Sequence, residues 1–225
     1  MARQLTFDLP TRAALGREDF FVSPANALAL ATVDDWAQWP MGKLVLVGPH
    51  GAGKTHLAHV WAQAAGARIV AAAELGGTDL PALASGGAVA VEDADAGPFA
   101  EDALFHLHNL LQQAGGALLI TATRPPKQWS LTLPDLASRM QAAMTATLDP
   151  PDDALLQAVL VKLFDDRQLA VGAEVTEYLA KRMERSFEAA QQIVSALDDA
   201  GLAEGRAITR RLAGEVLDKL GGADA

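Results

Sequence analysis

Residues 43–58 read KLVLVGPHGAGKTHLA, and no other stretch limits the fold as strongly. The apolar run at 44–47 has the length and residue types of a buried strand and stops at Gly48. After a glycine-bearing loop, Lys54 and Thr55 open a helix that continues through Leu57, Ala58 and Trp61. Strand, loop and helix in this order, with the spacing G-x-x-x-x-G-K-S/T, make a phosphate loop. Gly48, Gly51 and Gly53 let the backbone turn successive N–H groups inward. The expected nucleotide-binding residues are therefore Gly48, Pro49, His50, Gly51, Ala52, Gly53, Lys54, Thr55 and His56. Lys54 is placed to reach the β- and γ-phosphates and Thr55 to hold Mg²⁺, while the helix N-terminus adds unpaired N–H groups and the positive end of its dipole.

Downstream, residues 88–95 read AVAVEDAD, an apolar strand ending in acids. A Mg²⁺-nucleotide site needs one carboxylate for the metal's water shell and one to orient or deprotonate the attacking water. Glu92 and Asp93 take those places, with Glu92 the metal-side partner of Thr55. Any buried strand emerging into solvent can end this way, so the reading draws its weight from following a phosphate loop. Residues 117–123, ALLITAT, form a fourth strand that Arg124-Pro125-Pro126 halts. Thr121 and Thr123 at its end are candidates for hydrogen-bonding a γ-phosphate or the attacking water; solvent-facing threonines would look the same. A second strand is expected at 67–71 and a loop at 75–87. An amphipathic helix is expected at 98–113, with Phe99, Ala103, Leu104, Leu107 and Leu111 on its apolar side. His106 and His108 stand two apart on that helix, face different directions and cannot share a metal. A short helix at 133–140 ends on Arg139, by itself an ordinary candidate for a surface ion pair, and a fifth strand follows at 142–148.

Beyond Asp149-Pro150-Pro151 no strand recurs, and helix-period segments follow at 153–165, 173–185, 187–201 and 209–220. The expected organisation is an α/β fold with a five-stranded parallel sheet flanked by helices at 20–149, then a small all-α lid at 150–225. Between 20 and 39 a helix is expected within 26–36, with Trp36 and Trp39 as lids on the core. The tail, 1–19, carries Gln4, Leu5, Phe7 and Leu9, which either pack back on the domain or form a linear peptide that docks in another protein's groove. The chain has no cysteine, which excludes disulfides, thiolate metal sites and thiol nucleophiles. Its 28 acidic residues outnumber 18 basic ones, a net charge of −10, which disfavours strong autonomous binding to duplex DNA. No run is long enough for a membrane span and no signal-peptide pattern opens the chain, so a cytoplasmic location is expected.

Phosphate loop, acidic strand, polar strand end, arginine-tipped helix and helical lid, in this order, resemble an AAA+ module. The chain is similar to the DnaA branch, and within it to the short DnaA-homologous inactivators of the Hda kind. The most specific pieces are Arg124-Pro125-Pro126-Lys127 after the fourth strand, the run Leu133-Pro134-Asp135-Leu136-Ala137-Ser138-Arg139, and the leading Gln4-Leu5-Thr6-Phe7-Asp8-Leu9. The resemblance implies that Gln4, Leu5, Phe7 and Leu9 bind the sliding clamp, the beta subunit of DNA polymerase III. It implies that ADP or ATP is bound with Mg²⁺, and that Arg139 is a finger reaching the nucleotide of a neighbouring DnaA. Regulatory inactivation of DnaA, by promoting hydrolysis of its ATP, is the function implied, with a homo-oligomer also open. A self-sufficient AAA+ ATPase acting as loader or remodeller, and a nucleotide-dependent adaptor without catalytic contribution, stand as alternatives. Three positions depart from the family's pattern: Glu92 stands where Asp is usual, Thr123 where Asp is frequent, and Glu188 where a lid arginine is expected. Arg182 and Arg185 are the nearest stand-ins for that arginine, and its absence implies weak intrinsic ATPase at most.

Overall fold

The structure, a computed structural model, describes residues 16–221; the peptide of Gln4, Leu5, Phe7 and Leu9 lies outside the described residues. Strands β1 (Lys43–Val47), β2 (Arg68–Ala71), β3 (Ala88–Glu92), β4 (Ala117–Ala122) and β5 (Met144–Thr147) form one sheet in the order β2-β3-β4-β1-β5, parallel at every pairing. β1 and β4 are buried along their whole length, as parallel strands covered on both faces must be. Because successive side chains point to opposite faces, Val45 and Val47 enter one core and Leu44 and Leu46 the other. The first core is closed by α3 (Leu80–Ala84), α4 (Glu101–Gln113) and α5 (Pro134–Gln141), through Leu83, Leu104, Leu107, Leu111, Leu136 and Met140. The second is closed by α1 (Ala27–Asp34) and α2 (Lys54–Ala65), through Leu30, Val33, Leu57 and Trp61. Trp39 stacks on Trp61 at 5.3 Å between ring centroids and Trp36 meets it edge-on at 6.5 Å, so both tryptophans do lid this core.

Two elements differ from expectation. The stretch 75–87 is not a loop: a 3-10 turn, Ala72–Gly77, leads into α3, whose Leu80, Leu83 and Ala84 are buried. Asp79 caps α3 by accepting from the Ala82 amide, and Pro81 lies in its first turn, a helix-start signature masked by the surrounding glycine pairs. The helix expected from 98 starts at Glu101; Phe99 precedes it and packs on the same core.

After β5 the chain forms α6 (Asp153–Asp166), α7 (Ala173–Ala180), α8 (Phe187–Glu204) and α9 (Arg210–Gly221) around a third core that includes Leu160, Phe164, Leu179, Val194, Leu197 and Val216. Asp152 and Ser186 cap α6 and α8 by accepting from the Leu155 and Ala189 amides. α7 is shorter than its apolar pattern and α8 longer, ended by Gly205 in the left-handed region. Among the described residues no helix is long and apolar enough to cross a membrane.

Candidate functional site

The carboxyl ends of β1, β4 and β3 are brought side by side by the parallel order, and the loops leaving them form the site. From β1 the chain turns through Gly48 to Gly53, with φ of 67° at Gly51 and 95° at Gly53, conformations that a side chain would strain. Lys54 is buried at the start of α2, and its ammonium donates to the carbonyls of Gly48 at 2.8 Å and Pro49 at 2.9 Å. An ammonium has three donors, so one stays available to a phosphate oxygen. Burial lowers the pKa of Lys54, and Asp93, Asp95 and Glu92 act against it by favouring the charged form. Thr55 is exposed at the same helix start. His56 turns away: Gly16 O lies 3.1 Å from its Nε2 and its ring meets Phe20 edge-on, so only its backbone faces the loop.

The end of β4 organises what surrounds this loop. The Gly48 amide donates to Ala122 O at 3.1 Å, which ties the loop's first residue to the strand beside β1. On the other side the Asp93 amide donates to the Thr121 hydroxyl at 3.0 Å and the Ala94 amide to Thr121 O at 3.0 Å. Thr121 is fully buried, and its side chain holds the acidic turn rather than facing the loop. Asp93 adopts φ 58°, a left-handed conformation that Asp tolerates better than most side chains. Thr123 is engaged by a residue the sequence reading did not single out. Its amide and hydroxyl both donate to the Asp95 carboxylate at 2.7 Å, and Arg124 adds its amide and Nε at 2.9 and 3.1 Å. Burial pushes the Asp95 pKa up, but these donors outweigh it and hold the carboxyl below its usual range. Glu92 Oε1, by contrast, is a buried oxygen without a hydrogen-bond partner. An orphaned carboxylate oxygen beside a phosphate loop suits the water shell of a hard cation. Thr55 and Glu92 supply too few ligands to hold Mg²⁺ alone, and among the described residues no group of three or more His, Cys, Asp or Glu could do so. The donor set fits a cation that arrives on phosphate oxygens.

The lid rests directly on the loop. The Phe187 amide donates to Gly51 O at 2.8 Å, a Cβ on Gly51 would run into Ser186, and one on Gly53 would lie 2.9 Å from the Phe187 ring. Glu188, one residue on, is exposed on the first turn of α8. Neither stand-in arginine is held at the loop. Arg185 donates to Asp153 Oδ1 at 2.6 Å and to Pro151 O at 3.2 Å, and Arg182 stacks on Tyr178 at 4.4 Å.

Arg139 lies elsewhere. It stacks over Phe105 at 5.3 Å and donates to Gln112 Oε1 at 3.3 Å, both on α4, and Glu101 of that helix accepts the Thr132 and Leu133 amides at the entry to α5. Its charge bears on Lys43, the first residue of β1, and on His108 of α4. The phosphate loop leaves the other end of that strand, roughly 16 Å further at about 3.3 Å per residue. Lys43 and His108 form a buried pair that the sequence did not disclose, with Lys43 Nζ 2.8 Å from His108 Nε2. Burial and the neighbouring Lys43 lower the His108 pKa to about 4, so the ring is neutral at pH 7 and accepts from the ammonium.

Parallel sheet, phosphate loop, acidic strand end and a helical lid on the loop are together the architecture of an AAA+ module. The lid has a match of its own: residues 139–217 match the family described as Hda, lid domain. Domain III of the replication initiation protein DnaA from Thermotoga maritima superposes with a TM-score of 0.74 at 20% identity, over 94% of this chain and 98% of that one. DnaA from Aquifex aeolicus, bound to AMPPCP, gives 0.67 at 17% identity over 83% and 65%. A RuvB variant from Thermotoga maritima gives 0.68 at 16% over 89% and 70%, so at these identities the likeness is one of fold.

Proposed function

We propose that this chain regulates the initiation of chromosomal replication by promoting hydrolysis of ATP held by DnaA. In this reading the phosphate loop binds ADP or ATP with Mg²⁺, Lys54 and the loop amides meeting the phosphates and Thr55 and Glu92 the cation's shell. Gln4, Leu5, Phe7 and Leu9 tether the chain to the polymerase III sliding clamp, and Arg139 enters the nucleotide site of DnaA. The observation that carries the reading is where Arg139 sits, at the opposite end of β1 from the chain's own loop and held there by Phe105 and Gln112 of α4. A guanidinium delivered by a neighbour stabilises charge on the transferring phosphoryl group and is worth about 10³ to 10⁵ in rate. Glu188 at the lid position, with Arg182 and Arg185 engaged elsewhere, supports slow hydrolysis by the chain itself. The protein is placed in the cytoplasm with its proposed partners.

The test is ATP turnover by the purified chain alone, then with DnaA and DNA-loaded clamp. The reading expects negligible turnover alone and loss of ATP from DnaA in the full mixture. Turnover by the chain alone that DnaA and clamp do not change would instead establish a self-sufficient ATPase.

A further inference from the structure

Between α7 and α9, on the lid, lies an open cleft of about 570 Å³ lined by Tyr178, Arg182, Arg210, Arg211, Gly214, Glu215 and Asp218. Two guanidiniums share one ring there: Arg182 lies 4.4 Å and Arg210 4.9 Å from the Tyr178 centroid. Among the described residues neither is within ion-pair distance of a carboxylate. Glu215, one of the two acids of the cleft, is already shared by Arg211 at 3.0 Å and Arg206 at 3.7 Å. Its hydrogen bond from Arg211 holds it below the usual carboxyl range, so it stays ionised and occupied. Asp218 is the other carboxylate, leaving arginines in excess, in a protein whose net charge is −10.

A guanidinium whose carbon lies over a ring keeps edge donors for a planar or tetrahedral oxyanion, and the ring contact holds that edge in the cleft before a ligand arrives. Two such edges held by a single ring match two neighbouring phosphates better than they match one carboxylate. Gly214 leaves room at the ring's hydroxyl, where a Cβ would stand 3.2 Å from it. We propose that the α7–α9 cleft is an anion site, separate from the phosphate loop, that takes closely spaced phosphate groups through Arg182 and Arg210. Those phosphates could be supplied by a free polyphosphate or by the phosphodiester chain of a single strand, and the chemistry of the cleft is the same for both.

Tyr178 is the single tyrosine of the chain, so growth on 3-fluorotyrosine places one fluorine reporter in this cleft of the full-length protein. Fluorine NMR would follow titration with tripolyphosphate, with a short oligothymidylate and with an oligoaspartate, each against sodium chloride of equal ionic strength. A saturable shift is expected with at least one of the two phosphate probes, weakened about tenfold or more in Arg182→Gln/Arg210→Gln, each lost contact being one to a charged group. The single variants Arg182→Lys and Arg210→Lys, which keep the charge, should each weaken it less, and they carry the test if the double variant does not fold. A response to tripolyphosphate alone assigns a free polyphosphate, and a tighter response to the oligothymidylate assigns a nucleic-acid strand. The proposal is overturned by a shift that only follows ionic strength, by one that persists in the variants, as binding at the phosphate loop would produce, or by an equal response to oligoaspartate.

Discussion

Lys43 and His108 lie 65 residues apart in sequence and 2.8 Å apart in space, one at the foot of β1 and the other buried on α4. His108, 1% exposed, has a pKa near 4 when folded, against 6.5 for the ordinary side chain. The unfolded chain therefore binds more protons than the folded one between those values, and stability rises with pH across that window. Its contribution is fully present above pH 6.5 and is withdrawn as pH falls toward 4, by about 3 kcal/mol at most. Urea unfolding from pH 7 to pH 4.5 should thus show a steep loss that is shallower in His108→Gln; equal slopes would remove His108 as the cause. Nothing in the helical period of residues 98–113 foretells this pair, because pattern tells which face of a helix is buried and not which polar group meets it. Asp95 was hidden for the same reason. Its partners Thr123 and Arg124 stand 28 and 29 residues on, and only the parallel pairing of β3 with β4 brings them together.

At the level of elements, the phosphate loop, β3, β4 and the Arg139 helix were legible because each has a local cause: glycines at a fixed spacing, an apolar run closed by acids, paired prolines, Pro134 at a helix start. The lid's contact with the loop was not, since it joins Gly51 to Ser186 and Phe187 across most of the chain. It has a measurable consequence. Gly51→Ala must place a methyl against Ser186 at φ 67°, so strain of order 1–3 kcal/mol is expected together with displacement of α8 from the loop. Chemical denaturation and amide exchange at Phe187 would register both. Unchanged stability with a protected Phe187 amide would mean that the lid is not seated on the loop in solution.

For the whole molecule, two parts of the chain carry the proposed regulation, the leading peptide and the Arg139 end of the sheet. If Leu5 and Phe7 anchor the chain to the clamp, replacing both with Ala should abolish clamp binding in a pull-down with little change in Tm. A large fall in Tm with clamp binding retained would assign them to the core instead. Arg139 is the more decisive of the two, because its chemistry distinguishes a finger from an ion-pair partner. Its planar fork of donors fits phosphate oxygens in a way the point charge of lysine does not, whereas an arginine that serves only as a surface ion-pair partner is worth ~0 to 1 kcal/mol. The measurement is the rate at which ATP is lost from DnaA in the presence of DNA-loaded clamp, for wild type, Arg139→Ala and Arg139→Lys. Both variants are expected to fold, bind nucleotide and bind clamp, yet to lose the stimulation, a fall of about 10³-fold or more if the finger acts at full strength. Wild-type rates in the two variants would contradict the account.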